Sequence, residues 1–425
     1  MNSEVSESPE GQTADQMPGW QKRVAVFLTG QTVSTFGSFL VQYAILWHLT
    51  LTTKSGLILA LAAIFGFLPQ AIVSIFAGVW ADRVNRKVMI IIADSMIALS
   101  TLVLALLMLS GIDDLWIIFA AMTVRSIGAG FQMPAISALL PQIVPMDKLM
   151  RVNGINSSLQ SSLTLLAPVA AAGVYSTMSL TAIFFIDVVT AVIGVALLAT
   201  ISVPTLSRAL SDEKPSYFAD LKEGMQYIFS NDLVRWVMVI FGLVFLLIVA
   251  PSNLSPLMIV RNFGSEVWML TVLELAFGVG MVLGGALMAS IGTKADRIKM
   301  IIGSSILFGI LAIGLGFTTN LIVFYVLFFV VGLAVPAFST SAMTLLQETV
   351  EPERQGRVFG FVGIVMAVAM PLGMAVLGPL ADIVSVELLL IVTGAATVLI
   401  AVLAVILPAG RRAAAAAHNS TGVQG

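Results

Sequence analysis

The sequence predicts an all-α membrane protein of twelve transmembrane helices arranged as two pseudo-symmetric six-helix bundles. Three observations lead there. The 425 residues are 58% hydrophobic and only 10% charged, where an ordinary soluble domain carries about 25% charged residues. Apolar runs of about 20 residues, long enough to cross a ~30 Å hydrocarbon core as helix, recur along the whole chain. Signals in its first half return in order in its second.

The runs lie at about 23–49, 56–80, 88–110, 115–138, 152–176, 180–202, 235–259, 267–291, 299–317, 320–346, 357–380 and 387–408. Basic residues set the threading, because short basic loops stay cytoplasmic. With both termini inside, Lys22, Arg23, Arg83, Arg86, Lys87, Lys148, Arg151, Arg208, Lys214, Lys222, Arg235, Lys294, Arg297, Lys299, Arg354, Arg357, Arg411 and Arg412 all fall on the cytoplasmic side. Lys54 and Arg261 fall outside, and Arg125 lies within a span. An odd number of spans would scatter these charges over both faces. Residues 1–20 carry Glu4, Glu7, Glu10 and Asp15 without a basic leader, so they read as a disordered cytoplasmic tail rather than a signal peptide. The expected organisation is a first bundle at 21–203, a cytoplasmic linker at 204–234, a second bundle at 235–409 and a tail at 410–425.

The hairpin between spans 2 and 3 anchors this topology. Gly78, Asp82, Arg83, Arg86 and Lys87 stand there between two hydrocarbon runs, and Gly292, Asp296 and Arg297 repeat the Gly, three residues, Asp, Arg spacing between spans 8 and 9. Gly130, Pro134, Ala135 and Ser137 recur as Gly332, Pro336, Ala337 and Ser339. After a four-residue slip, Leu139, Leu140, Val144, Arg151, Val152 and Gly154 recur as Leu345, Leu346, Val350, Arg357, Val358 and Gly360. Parallel repeats of this kind are a transporter architecture. In the linker, Phe218, Leu221, Met225 and Ile228 recur at helical spacing opposite Asp220, Lys222 and Glu223, which predicts an amphipathic helix on the inner membrane surface. It serves either as a tether on which two bundles rock or as a plain linker.

Composition excludes several chemistries. With no cysteine and two histidines, His48 and His418, neither thiolate catalysis nor a Cys or His metal site is expected, and no cofactor is implied. A net charge of -2 argues against nucleic acid as a partner. No nucleophile, base and orienting group assemble into an enzyme's constellation.

Ionisable residues inside the spans are few: Asp94 in span 3, Arg125 in span 4, Asp187 in span 6 and Glu274 in span 8. A charge at mid-membrane costs about 2.5 to 3.5 kcal/mol on insertion scales, so each needs a partner, water or a proton. Arg125 can neutralise one acid, leaving at least two to be hydrated or protonated. At about 1.5 Å per residue, Glu274 and Asp187 lie roughly 12 and 10 Å below the outer face, and Asp94 roughly 9 Å above the inner one. Glu274 and Asp187 therefore read as proton or cation sites reachable from outside. Arg125 is either a fixed counter-ion or a participant in proton transfer. Each acid also reads as a buried ion pair or a snorkelling group, and Asp94, close to the basic hairpin, most of all.

Span 1 carries Gln31, Thr35, Ser38 and Gln42 on one helical face, and span 5 carries Asn153, Ser157, Gln160 and Thr164. Such stripes face either a cavity or a neighbouring helix; the glutamines, too large for close packing, favour a cavity. Phe36, Phe39, Tyr43, Trp47, Phe65 and Phe131 would supply an aromatic wall or, as commonly, packing. Pro168 and Gly173 in span 5, and Pro371, Gly373, Gly378 and Pro379 in span 11, mark helices built to bend. Gly278, Gly280, Gly284 and Gly285 form a packing face in span 8.

With these residues in view the chain resembles the major facilitator superfamily over its whole length. The segment from Gly78 to Lys87 looks like that superfamily's loop 2-3 signature, departing at Asn85 where glycine is usual. Arg125, Ser126, Ile127 and Gly128 resemble its helix 4 signature. The resemblance implies that Asp82, among Gly78, Arg83, Arg86, Lys87 and their counterparts Asp296 and Arg297, latches one conformation against the start of span 11 near Arg357. Ala167 and Pro168 match the antiporter signature only loosely. Gly66-Phe67-Leu68-Pro69, Ser158-Leu159-Gln160-Ser161, Ile186-Asp187-Val188 and Arg357-Val358-Phe359 are similar to the macrolide efflux group. What this implies is proton-driven export of bulky amphipathic drugs across a bacterial inner membrane by a monomer. Export of a siderophore or lipid-like metabolite is the alternative, and a non-transporting sensor a more distant one.

Overall fold

The computed structural model describes residues 17–81, 84–203, 217–291 and 296–407. Asp82, Arg83, Gly292 and Lys294 lie outside the described residues, as do the side chains of Phe218, Asp220 and Leu221. The elements are all α-helices: α1 (Trp20–Thr53), α2 (Gly56–Ala81), α3 (Arg86–Leu109), α4 (Leu115–Ile143), α5 (Met146–Thr177), α6 (Leu180–Ala199), α7 (Tyr217–Ser230), α8 (Asp232–Leu247), α9 (Val249–Asn262), α10 (Val267–Ile291), α11 (Arg297–Phe317), α12 (Leu321–Thr349), α13 (Pro352–Ile383) and α14 (Val386–Ile406). Among the described residues, 11 stretches are long and apolar enough to cross a membrane. The twelfth expected span, α5, has the length at 32 residues, but its polar stripe keeps it below that hydropathy.

Span starts are written locally. Asn85, Ser179, Asn231, Asp296, Asn320 and Ser385 precede α3, α6, α8, α11, α12 and α14, and each side chain accepts from backbone N–H groups of the first turn. These orphan donors are what an N-cap exists to satisfy. The caps also refine the repeat. Ser179 and Ser385 hold equivalent places, but in the hairpins the second-half cap is Asp296 itself, whereas in the first half it is Asn85, three residues beyond Asp82. The shared Gly-to-Arg spacing thus feeds two helices that start in different registers.

Span 7 differs from the expected single helix. It breaks at Ile248 into α8 and α9, because Pro251 has no N–H to give the carbonyl of Leu247 and its ring crowds that turn. In the expected linker, the helix α7 packs on α13. Glu223 pairs with Arg357 at 3.0 Å, the Arg354 guanidinium lies 4.8 Å above the Tyr227 ring, and Ile228 is buried. Met225 and Phe229 remain exposed.

The chain divides into two compact units. One contains α1 up to His48 and then everything from Phe65 through α6. The other contains Leu49–Ile64 and everything from α7 onward, so the tip of the α1–α2 hairpin is counted with the second unit. In the first unit Phe27, Leu28, Ile90, Leu139, Leu140 and Ile143 form a buried cluster. In the second, α10 and α12 meet through glycine. A Cβ on Gly280 would lie 2.2 Å from the Phe329 carbonyl oxygen, and one on Gly332 would lie 2.2 Å from that of Phe277. Of the four glycines expected on this face, Gly280 and Gly284 make the contact, while Gly285 has nothing within 4 Å.

A carboxylate fixes the hairpin tip within the second unit. Asp382 of α13 accepts from the Ser55 hydroxyl at 2.7 Å and from the N–H groups of Gly56 at 2.7 Å and Leu57 at 2.9 Å. It therefore caps α2 from another helix. Arg261 of α9 pairs with Asp382 at 2.7 Å and donates to the Lys54 carbonyl, also at 2.7 Å. Lys54, with φ +49, is the single non-glycine residue at positive φ among those described. An anion at a helix start, backed by a cation, is favourable on both counts.

Candidate functional site

The polar interior of the first unit starts from α1. Gly37 lets α1 close on α6: a Cβ there would lie 3.1 Å from the Asp187 Cα and would collide with the Thr190 hydroxyl. That approach puts Ser38, the next residue, within reach of Asp187. Its hydroxyl donates to Oδ1 at 3.2 Å. On the other oxygen, Arg125 of α4 pairs through Nη1 at 2.5 Å, and Thr101 of α3 donates at 2.9 Å. Arg125 also donates to the Thr101 hydroxyl and, through Nη2, to the Ser38 carbonyl at 3.2 Å. Asp187 is fully buried and Arg125 is 8% exposed. Four helices thus converge on one desolvated ion pair. Breaking such a pair from one side costs about 3–5 kcal/mol, because the other charge is then left buried and uncompensated.

Two turns of α1 away, at Gln31, is a second acid. Asp94 of α3 is 2% exposed and pairs with no cation among the described residues. It accepts instead from two amides, Gln31 of α1 at 3.4 Å and Gln132 of α4. The amide oxygen of Gln31 is itself buried and without a hydrogen-bond partner, which costs about 1–3 kcal/mol. Nearby, the backbone N–H of Gln70, just after Pro69, donates to the Ser126 hydroxyl at 2.9 Å, which ties α2 to the residue following Arg125.

In the second unit Glu274 stands in α10, half-buried, beside the fully buried Leu273 and Leu270. It makes no hydrogen bond or ion pair with a described residue. Of the three acids, then, Arg125 takes Asp187, amides take Asp94, and no described residue takes Glu274. Asp187 is enclosed rather than open toward one face.

The two stripes behave differently. On α1, Gln31 and Ser38 are spent on the acids, whereas Thr35 and Gln42 are half-buried and their side chains bond to no described residue. On α5, Asn153 and Ser157 are exposed and Gln160 half-buried, and the Thr164 hydroxyl turns back to the Gln160 carbonyl at 3.0 Å. Among the aromatics, Trp47 is fully buried and Phe131 packs against the apolar cluster of the first unit. Phe39 and Tyr43 are half-buried, with the Tyr43 ring 5.7 Å from that of Trp47.

Of the latch residues, Gly78 falls in the last turn of α2, and Asp82 and Arg83 lie outside the described residues. Arg86 donates to the Ala138 carbonyl at 3.0 Å. The Lys87 ammonium donates at 2.7 Å to the carbonyls of Ala199 and Ile201, a cation closing the end of α6 where the helix dipole is negative. Arg297 pairs with Glu348 at 3.3 Å and Arg357 with Glu223. Asp296 accepts from the N–H groups of Ile298 and Lys299. Burial pushes its carboxyl up, but those N–H bonds and the Lys299 ammonium outweigh it and hold the group below its ordinary value.

Sequence reasoning missed Thr101, Gln132 and the Arg261–Asp382 clamp. Thr101 and Gln132 looked like isolated polar residues on apolar spans. Asp382 stood just past the end assigned to span 11, where a charge needs no explanation.

The family model described as transmembrane secretion effector matches residues 17–422. Macrolide efflux protein A of Streptococcus pyogenes is 33% identical over 386 residues, covering 90% of this chain and 95% of the relative. Multidrug resistance protein MdtG of Escherichia fergusonii is 24% identical over 363 residues, covering 82% and 85%. Among solved structures, a bacterial homolog to the human lysosomal transporter Spinster superposes with a TM-score of 0.66 at 16% identity, covering 95% of this chain and 97% of the other. A POT family transporter in complex with a thioalcohol conjugated peptide does so at 0.68 and 13%, covering 91% and 96%; both likenesses show the fold. The polar core of membrane-spanning helices, the internal repeat and these matches agree: the chain belongs to the transmembrane secretion effector family of the major facilitator superfamily, multi-pass membrane transporters.

Proposed function

We propose that the protein is a proton-coupled efflux transporter. It exports bulky amphipathic drug-like compounds of the macrolide type across a bacterial inner membrane, as a monomer with both termini cytoplasmic. The substrate class rests on the 33% identity to macrolide efflux protein A. The coupling rests on one observation, the mid-span carboxyl of Glu274 without a hydrogen-bond or ion-pair partner among the described residues. An isolated charge at that depth is costly, so the group exchanges a proton instead.

In this reading drug enters from the cytoplasm or inner leaflet, the two bundles alternate access, and a proton reaching Glu274 from outside favours drug release and the return step. A ligand that binds both states equally shifts neither, so protonation has to change which state is preferred. A neutral Glu274 relieves a desolvation cost that is larger where the group faces hydrocarbon than where it faces water. The pair of Asp187 with Arg125 is the second candidate. Protonating Asp187 would release the guanidinium from its ionic partner while leaving Thr101 and the Ser38 carbonyl to hold it.

Everted vesicles loaded by a pH gradient test this directly with a labelled macrolide. Glu274→Gln is expected to reduce pH-driven uptake to the level of a transport-dead control while binding persists. Asp187→Asn is expected to impair uptake less if Glu274 is the coupling group. Full uptake by both variants defeats the coupling assignment, and transport of other metabolites but no macrolide defeats the substrate class alone.

A further inference from the structure

We infer that Asp94 binds a proton in the resting protein and that Gln31 registers it by turning its amide over. The site joins three helices of the first unit: Gln31 on α1, Asp94 on α3 and Gln132 on α4. The Gln31 Nε2 donates to one Asp94 oxygen at 3.4 Å and the Gln132 Nε2 to the other, which is the arrangement a carboxylate wants. Yet the other arm of the Gln31 amide, Oε1, is buried with no donor to accept from. A protonated carboxyl supplies that donor, since it gains an O–H that the charged form lacks. Rotating the Gln31 amide by half a turn brings Oε1 round to accept from that O–H and leaves Nε2 in the place the oxygen held, so the amide serves either the anion or the acid with one arm unpaired in each state.

The surroundings favour a proton over a metal cation. A hard cation gathers six or more oxygens, whereas two carboxylate oxygens and one amide oxygen are on offer here. Among the described residues no cluster of three or more metal-ligating side chains occurs. The charged group facing Asp94 is Asp187 of α6, whose own charge is balanced by Arg125 of α4. Ser34, on the same helix as Gln31, adds a hydroxyl to the carboxylate.

The amide matters because of where it sits. Gln31 and Ser38 are two turns apart on one face of α1, and each bonds to one of the two buried acids. A proton at Asp94 is thereby reported to the same helix that holds Asp187, which makes Gln31 a positioning residue rather than a proton carrier.

The test needs no transport, so its failure is separable from failure of the Glu274 assignment. Infrared difference spectra between neutral and acidic pH are recorded on the purified full chain in lipid nanodiscs, with glutamine carrying carbon-13 in its side-chain amide. The wild type is expected to gain a protonated-carboxyl band, and that band is absent in Asp94→Asn. An isotope-sensitive glutamine band accompanies it and is lost in both Asp94→Asn and Gln31→Met. Thermal unfolding of each variant confirms that it is folded, and Gln31→Leu replaces Gln31→Met if that variant is not. The inference is overturned if Asp94→Asn leaves the carboxyl bands unchanged. It is equally overturned if the glutamine band survives in Gln31→Met and Gln31→Leu, or if sodium at constant pH produces the same bands.

Discussion

In the first unit α4 and α6 meet at Arg125 and Asp187. Following the internal repeat, α14 carries Thr393 at the place of Asp187, and α12 carries Leu327 or Val331 at the place of Arg125, according to which of the two registers is used. Thr393 is buried and satisfies itself by donating to the Leu389 carbonyl at 2.8 Å. At the repeat-equivalent positions, then, the first unit carries an ion pair and the second an apolar residue and a self-bonded hydroxyl. Because replacing a buried pair by apolar groups of similar volume is often neutral or stabilising, removing both partners together separates what the pair gives the fold from what a lone buried charge costs it.

The comparison can be broken most severely at Arg125. Arg125→Leu should destabilise the protein by about 3–5 kcal/mol, since Asp187 would keep its burial and lose its cation. Adding Asp187→Thr, which writes the second unit's pattern into the first, should recover most of that stability without recovering transport. Thermal unfolding in detergent beside vesicle transport reads both quantities. A double variant no more stable than the single one would show that the pair is structural after all.

A smaller effect is expected where the second unit relies on contact rather than charge. Gly332→Ala puts a Cβ 2.2 Å from the Phe277 carbonyl, so α10 and α12 must separate, at about 1–3 kcal/mol. Gly285→Ala, on the same helix as Gly280 but with nothing within 4 Å, serves as the control. Equal unfolding temperatures for the two variants would contradict a glycine seam.

Next in size is the clamp on α2. Asp382→Ala removes a cap and leaves Arg261 without its carboxylate, at about 1–2 kcal/mol. The loss should be local, raising hydrogen exchange at Ser55, Gly56 and Leu57 before the rest of the second unit responds. Unchanged exchange there would refute the capping role.

The smallest effect is at Asp296. Its carboxyl is held below the ordinary value by the N–H groups and ammonium that outweigh its burial. Its contribution is thus present above the unfolded-state value near 3.9 and is lost as pH falls through the lower folded one. Asp296→Ala should cost about 1 kcal/mol at neutral pH, and the difference from wild type should shrink at strongly acid pH. Asp296→Asn, which still caps, should change little. A pH-independent difference for the alanine variant would refute the charge contribution.

Much of the fold was legible because it is set by short-range chemistry. Hydrocarbon length gives the spans, while the caps at Asn85, Ser179, Asn320 and Ser385 were found only in the structure. Pro251 was visible but not its consequence: Pro69, Pro134, Pro168 and Pro336 all sit inside continuous helices, so a proline's identity does not say whether the turn before it gives way. The candidate site was legible only as a roster. That Asp94, Asp187 and Glu274 compete for one Arg125 follows from counting charges. That Asp187 wins depends on Gly37 drawing α1 against α6, and on Thr101 standing between acid and base.

The order of residues alone determined that the chain spans the membrane repeatedly, that its halves are related, and that it carries more buried acids than bases, because hydropathy and charge are properties of single residues and short runs. Tertiary structure alone decided which acid is neutralised by a cation, which is bonded by amides and which meets no partner among the described residues. Those outcomes turn on distances of a few ångströms between helices that lie far apart along the chain, and a buried charge is stabilised only by what is brought within hydrogen-bond reach.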